Sequence, residues 1–145
     1  MKGKTRALGG IPPLVALLNQ DQPEVQRNAA GALRNLSYGR QNDENKKGIK
    51  SAGGLGAIVR LLKRTAEPEL RELLTGVLWN LSSCEELKRS ILDESVPVLV
   101  STVLLPYCVA QGGSMSLSMT TSSPQMHALP PPSPLVFKNA SGVLR

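Results

Sequence analysis

The sequence predicts an all-α protein built as a solenoid of stacked helical repeats. Parts of the 145-residue chain repeat, their apolar residues recur with a helical period, and no stretch alternates with the two-residue period of a strand. GGIPPLVALL from Gly9 returns as GGLGAIVRLL from Gly53. EVQRNAAGALRNLS from Glu24 returns as ELRELLTGVLWNLS from Glu69. The offsets are 44 and 45 residues, so we predict a structural unit of that length.

A third copy of the repeat is interrupted. It begins as VPVLVSTVLL at Val96 and resumes as FKNASGVLR at Phe137. This alignment brings Gly31, Gly76 and Gly142 into register. The offset from the second copy is 41 residues at Val96 and 66 residues at Gly142, so the interruption adds 25 residues.

The last part of each copy predicts a long amphipathic helix. Apolar residues of the second copy recur three and four positions apart, which makes one stripe at 3.6 residues per turn. They are Leu70, Leu73, Leu74, Val77, Leu78 and Leu81. The matching residues of the first copy are Val25, Ala29, Ala32, Leu33 and Leu36. One unit cannot bury such a stripe alone, whereas stacked units can.

Two shorter helices precede each long helix. IPPLVALL indicates a short helix with Pro12 or Pro13 in its first turn. DENKKGIKSAGG and CEELKRSILDES are each long enough for a separate first helix, and Gly53 or Gly54 can end the former in a left-handed cap.

A three-helix unit of this length is typical of the armadillo repeat, because the related HEAT unit has two helices. We therefore predict a partial armadillo array, wound as a right-handed superhelical solenoid. The predicted segments are a partial first helix at 1–8, the second and third helices of that repeat at 9–39, a complete repeat at 40–84, the start of a third at 85–105, and its truncated last helix at 137–145.

Residues 106–136 separate the two parts of the third copy and differ in composition from the rest. They contain no Lys, Arg, Asp or Glu, whereas residues 1–105 contain 15 basic and 11 acidic residues. They are rich in Ser, Thr, Pro and Met and show no sustained period. Such a segment buries too little apolar surface to offset its ordering entropy, so we predict a disordered Ser/Pro-rich insertion.

Composition argues against catalysis and against a bound cofactor. A single histidine excludes sites built from histidine pairs, and two cysteines 24 positions apart fit neither a disulfide framework nor a zinc motif. No apolar run approaches the roughly 20 residues of a membrane-spanning helix, and the N-terminus lacks the hydrophobic segment of a secretory signal. We expect a cytoplasmic, non-enzymatic binding protein with no metal, no small-molecule substrate and no integral membrane segment.

The long helices carry a column of residues opposite their apolar stripe. At 100° per residue, Trp79 lies opposite the stripe, and Arg34 and Arg145 occupy the matching positions of the other copies. Asn80 and its counterpart Asn35 lie on the flank. Long helices line the concave side of such a stack, so we predict a peptide groove in which Asn amides bind the ligand backbone and Trp and Arg hold its side chains. Alternatively, Trp79 packs on the neighbouring repeat and the asparagines satisfy local backbone groups.

Two lysines open the first helix of the second copy. Positive charge at a helix start opposes the helix dipole, so the position of Lys46 and Lys47 favours a role in binding a partner. The alternative is that both are solvated surface residues.

Four segments resemble the delta-catenin branch of armadillo proteins, which includes the cadherin juxtamembrane-binding catenins and the plakophilins. They are GALRNLSYG, NDENKKGIKSAGG, RELLTGVLWNLSS and FKNASGVLR. The likeness covers residues 9–105 and 137–145. It implies a scaffold at cell–cell junctions, on the cytoplasmic side of the plasma membrane, whose groove binds the acidic juxtamembrane segment of a cadherin tail.

The resemblance also implies groove residues and further partners. The family's groove Lys, Trp and Asn match Lys46, Trp79 and Asn80, and a further groove lysine corresponds to Lys2. The last match is weakened by Gly3, which stands where a helix should run. Plakophilin-like members imply desmosomal partners, and some members bind small-GTPase regulators and enter the nucleus.

Two other binding functions fit the sequence less well. Nuclear-import armadillo proteins place a Trp four residues before each groove Asn, whereas this chain has Gly31 and Gly76 there. Nucleic-acid binding is suggested by the net charge of +6. However, there is no arginine-rich run, and with 3% aromatic residues there is almost no platform for base stacking.

Overall fold

The structure, a computed structural model, describes residues 2–111 and 133–145. Its elements are nine α-helices and one π-helical turn within these ranges. They are α1 (Lys2–Ala7), α2 (Ile11–Leu17), α3 (Pro23–Ser37), α4 (Asp43–Ser51), α5 (Gly54–Arg64), α6 (Pro68–Ser82), α7 (Glu85–Leu99), the π-helical turn (Val100–Leu104), α8 (Leu105–Gln111) and α9 (Pro134–Val143).

The helices form an all-α armadillo solenoid, which confirms the predicted fold class. Helices α1 to α3 make one repeat and α4 to α6 the next. The segment from α7 to α9 supplies a third, and the long helices α3, α6 and α9 pack side by side in that order. We call the surface that these three helices present on the side opposite their buried stripes the groove face.

Short sequence signals set the helix boundaries. Pro23, Pro68 and Pro134 begin the three long helices, where a missing N–H leaves no helical hydrogen bond unmade. Gly53, with φ of 79°, adopts the left-handed conformation between α4 and α5. This confirms the predicted glycine cap.

One continuous core joins the repeats. The predicted stripe of α6 is buried except for Leu73, which is partly buried and packs against the core. In α3, Ala29, Leu33 and Leu36 are buried, as the first copy predicts, whereas Val25 and Ala32 are partly buried. Repeat stacking therefore buries the stripes that no single repeat could cover.

The third repeat differs from the prediction of a separate first and second helix. Helix α7 continues through the π-helical turn into α8 without a break. Glu94 and Ser95 stand at the positions of Gly53 and Gly54, so no left-handed residue ends the helix. Pro97 lies inside α7 and has no N–H to donate. The helix does not end there but continues into the π-helical turn that begins at Val100.

The predicted limits of the insertion are too wide. Helix α8 extends through Gln111, and α9 begins at Pro134, so residues 106–111 and 134–136 are helical. Tyr107 and Phe137 stack with ring centroids 4.3 Å apart, which joins α8 to α9. Ser133 caps α9, and the rest of the segment predicted to be disordered, 112–132, lies outside the described residues.

Helix Glu85–Ala110 is long and apolar enough to cross a membrane by length and composition alone. That criterion is weak evidence, because core helices of other proteins meet it. Here Leu87, Ile91, Leu99 and Val103 are buried in the solenoid core, but only 28% of the apolar window is buried. The expectation of no membrane-spanning segment remains an expectation.

Candidate peptide-binding groove

The predicted column lies along the groove face. The Arg34 side chain of α3 lies over Gly76 of α6, and the Trp79 side chain of α6 lies over Gly142 of α9. Arg34 and Trp79 therefore each rest on the glycine of the next long helix. This contact was absent from the sequence prediction, although the register of the glycines contained the signal.

Trp79 is packed on one side and open on the other. Its indole contacts α9 at Gly142, yet 38% of the residue is exposed. The structure thus shows the packing of the alternative interpretation and an accessible aromatic surface at once. Its indole N–H has no hydrogen-bond acceptor among the described residues, and the pyrrole edge that carries this group lies against Gly142, so the accessible surface belongs to the rest of the ring.

A cleft of about 260 Å³ opens beside Trp79. We call it the Trp79 cleft; it is lined by Trp79, Phe137, Lys138, Ser141, Gly142 and Arg145. Lys138 and Arg145 are exposed, and within the described ranges neither lies within salt-bridge distance of a carboxylate. An aromatic wall with two unpaired cations suits an acidic ligand side chain. Of these residues the sequence prediction included only Trp79 and Arg145, because α9 is a short fragment beyond the interruption.

Asn80 connects two repeats. Its Nδ2 donates to the Arg34 carbonyl at 3.1 Å and to Ser37 Oγ at 3.2 Å, at the C-terminal end of α3. Ser37 Oγ also donates to the Arg34 carbonyl at 3.1 Å, so Asn80 adds to the pairing of that helix end, as the alternative interpretation requires. The Asn80 Oδ1 accepts no hydrogen bond within the described ranges, so it is the atom free to accept a ligand N–H.

Asn35 occupies the matching position in α3 but differs in its contacts. It is exposed, and its side chain makes no hydrogen bond to any described residue. Helix α3 is the first described long helix, so no long helix packs beside it in the way that α3 packs beside α6. Both polar atoms of its amide are therefore open on the groove face.

Lys46 is buried, which rules out a solvated surface lysine at this position. It is 0% exposed, and its Nζ donates to Asp43 Oδ1 at 3.1 Å and to Ser83 Oγ at 2.8 Å. Ser83 in turn donates to the Asn80 carbonyl at 2.7 Å. The ammonium thus lies at the C-terminal end of α6, where the helix dipole favours a cation. The exposed hydroxyl of Ser83 thus connects Lys46 to Asn80 on the groove face.

Lys2 occupies the equivalent place in the first repeat. Helix α1 runs through Gly3, contrary to the expectation that this glycine interrupts it. The Lys2 Nζ donates to the Tyr38 carbonyl at 3.0 Å, at the C-terminal end of α3, and lies 5.4 Å from the Tyr38 ring centroid. Lys2 and Lys46 therefore make the same kind of contact, from a first helix to the end of the long helix of its own repeat.

Lys47 is directed away from the groove face into a contact between repeats. Its Nζ lies 2.8 Å from Glu86 of α7 and 3.6 Å from Glu44. The hydrogen bond to Glu86 raises the pKa of Lys47, because it stabilises the charged form. The positive charge of Lys47 is thus balanced by two carboxylates. Lys47 is therefore a weaker candidate than Lys46 for a role in ligand binding.

The fold defines an armadillo-repeat module, and its groove face is a candidate binding surface. The armadillo/beta-catenin-like repeat model matches residues 5–38 and 42–83, and the chain belongs to that family. Individual relatives give a more specific match than the repeat model does. Over its whole length it is 46% identical to human catenin delta-2 and 45% identical to the human splicing regulator ARVCF. It is also 39% identical to the juxtamembrane domain-associated catenin of Caenorhabditis elegans.

The chain spans only part of those relatives. It corresponds to 11% of catenin delta-2, 14% of ARVCF and 10% of the C. elegans catenin. The predicted resemblance to catenins is confirmed, and the identity extends over the entire chain. Because the chain covers so little of each relative, the partners of the complete relatives can only support a proposal about this chain.

Proposed function

We propose that the chain is part of a non-catalytic scaffold of adherens junctions, whose groove face binds the acidic juxtamembrane segment of a cadherin cytoplasmic tail. The observation that carries the proposal is the half-exposed Trp79 beside two unpaired cations, Lys138 and Arg145. The relatives support it, since they are catenins and one is named for its association with a juxtamembrane domain. The scaffold would act in the cytoplasm, at the membrane face of the junction.

The dimensions of the groove face set the length of ligand that it covers. Packed helices lie about 8–10 Å apart, so three long helices span about 16–20 Å. An extended peptide advances about 3.3 Å per residue, which corresponds to about five or six residues. Such a segment would cross Asn35 and Asn80, whose free amide oxygens accept backbone N–H groups, and would end in the Trp79 cleft.

Charge and aromatic contact contribute differently to this binding. Exposed ion pairs contribute at most about 1 kcal/mol each, whereas a buried Trp anchor contributes about 2 kcal/mol or more. We therefore expect Trp79 to dominate the affinity and Arg34, Lys138 and Arg145 to select an acidic ligand. Lys46 and Lys2 would act indirectly, by holding positive charge at the ends of the long helices.

The test is a fluorescence-anisotropy titration of the chain with a labelled acidic cadherin juxtamembrane peptide. Trp79→Ala should weaken binding at least about tenfold, which corresponds to about 1.4 kcal/mol. Leu92→Ala is the matched control, because Leu92 is 43% exposed but lies on α7, outside the groove face. Circular dichroism checks that both variants are helical. Equal affinity of the two variants would exclude Trp79 as the anchor and contradict the proposal.

Other ligands separate this function from its alternatives. A desmosomal tail peptide that binds in place of the cadherin peptide would indicate a plakophilin-like scaffold. A basic import signal should not bind, because its charge matches that of the groove face. An oligonucleotide, if bound through phosphates, should lose affinity steeply between about 50 and about 200 mM salt. Preferential binding of the basic peptide or of the oligonucleotide would refute the proposed ligand class.

A further inference from the structure

Gly142 of α9 lies directly beneath the Trp79 indole. A methyl group added at Gly142 would lie 2.6 Å from Cε2 and from Nε1 of Trp79, and 2.8 Å from Cδ1. Side-chain Cβ atoms essentially never approach other heavy atoms within 3.0 Å. The missing side chain therefore lets the pyrrole edge of the indole lie against the α9 backbone.

The other two glycines in this register have different surroundings. At Gly76 an added methyl group would lie 2.9 Å from Nε and 3.2 Å from Cδ of Arg34. At Gly31 it would meet no atom within 4 Å. The long Arg34 side chain can move aside by rotating several bonds, whereas the rigid indole of Trp79 has only two rotatable bonds. Gly142 is thus the position where a side chain has the largest effect on the groove.

We infer that Gly142 is a positioning residue of the groove: it seats the Trp79 indole on α9 and so forms the Trp79 cleft. Helix α9 cannot retreat from an added methyl group, because Val136, Ala140 and Val143 hold it in the core. The indole must turn away instead. The effect on ligand affinity rests on the function proposed above, whereas the seating of Trp79 does not depend on any ligand.

The seating is tested without ligand, through the fluorescence of Trp79, the only tryptophan of the chain. In Gly142→Ala the emission should shift to longer wavelength. Acrylamide quenching should rise about twofold as the indole goes from 38% exposure toward full exposure. Gly31→Ala and Gly76→Ala are the matched controls and should keep the wild-type spectrum. An unchanged emission and quenching of Trp79 in Gly142→Ala would overturn the inference.

A double-mutant cycle covers the case in which Gly142→Ala unfolds the chain. The three atoms nearest to the added methyl group all belong to the indole, so Gly142→Ala should not lower the urea midpoint in a Trp79→Ala background. It should lower the midpoint in the wild-type background. An equal drop in both backgrounds, or a double variant that also fails to fold, would contradict the inference.

Peptide binding tests the functional consequence separately. Gly142→Ala should weaken the acidic peptide about tenfold, as Trp79→Ala does, and Gly31→Ala should leave the affinity unchanged. If the wild type fails to bind the peptide, the proposed function fails, and the ligand-free fluorescence still decides the seating of Trp79. If Gly142→Ala displaces the indole yet binds normally, Gly142 does not position the binding site.

Discussion

Asn80 and Asn35 occupy the same position in successive long helices, yet the structure predicts different consequences when each is replaced. Asn80→Ala removes two hydrogen bonds, at 3.1 and 3.2 Å, to the end of α3. Each contributes about 0.5–1.5 kcal/mol, so the lost bonds alone should lower the free energy of unfolding by about 1–3 kcal/mol, before any gain in helix propensity. Ser37, which is fully buried, loses one partner in this variant and retains its bond to the Arg34 carbonyl.

Asn35→Ala is the matched control for this prediction. Both variants gain the same helix propensity, about 0.5 kcal/mol, at the same position of the helix. Because the Asn35 side chain makes no hydrogen bond to a described residue, its replacement should leave stability within about 0.5 kcal/mol or raise it slightly. The difference between the two variants therefore isolates the contact between repeats.

The assay is urea denaturation followed by circular dichroism, with both variants measured beside the wild type. A lower midpoint in Asn80→Ala at an unchanged slope reports lost stability and not a changed denatured state. Equal midpoints for Asn80→Ala and Asn35→Ala would refute the role of Asn80 in joining α6 to α3.

Three further predictions concern the core, the buried lysine and the thiols. Leu74→Ala, at a fully buried site, should cost about 2–5 kcal/mol by urea denaturation; a loss below about 1 kcal/mol would contradict the core assignment. Lys46→Ala should destabilise by about 2 kcal/mol through its buried stem, and Lys47→Ala by at most about 0.5 kcal/mol; the reverse order would contradict the burial. A thiol reagent should modify exposed Cys108 in the folded chain and buried Cys84 only after unfolding; simultaneous reaction would contradict the packing of α7 on α6.

The repeat, the stripe of the long helices and the glycine cap at Gly53 were predictable because each depends on local sequence. A helical period can be read from one segment without knowing the surface against which the helix packs. The 44-residue offset then implies that a neighbouring copy provides that surface. Proline at the first position of the long helices, as at Pro23 and Pro68, is a further local signal that the sequence prediction did not use. The repeat, the stripe and the cap agree with one another, which explains why the fold class could be predicted from the sequence.

Features that depend on contacts between helices were not predictable in the same way. The burial of Lys46 depends on Ser83, which is 37 residues away in sequence. Helix α1 forms despite Gly3, because packing against α4 overrides the weak local propensity. The continuity of α7 and α8 did have a local signal, the replacement of the Gly53–Gly54 pair by Glu94 and Ser95, but the repeat pattern suggested a break there.

The groove itself was predicted in part. The helical period was sufficient to place Trp79 and Arg34 on one face, because a 100° step fixes direction around a helix. It could not show that Trp79 rests on Gly142 or that Lys138 lines the same cleft, since both residues follow the interruption of the third repeat. The candidate site is thus a product of repeat stacking and becomes visible only when α6 and α9 are adjacent.

The most direct test of the central claim is the emission of Trp79 during a titration with the unlabelled acidic cadherin peptide. With a peptide chosen to contain no tryptophan, the signal comes from Trp79 alone, because the chain has one tryptophan. A saturable change in Trp79 emission, with the same midpoint as the anisotropy titration, is the predicted result. Saturable anisotropy without any change in Trp79 emission would show that the peptide binds elsewhere on the chain, and the groove would then not be the binding site.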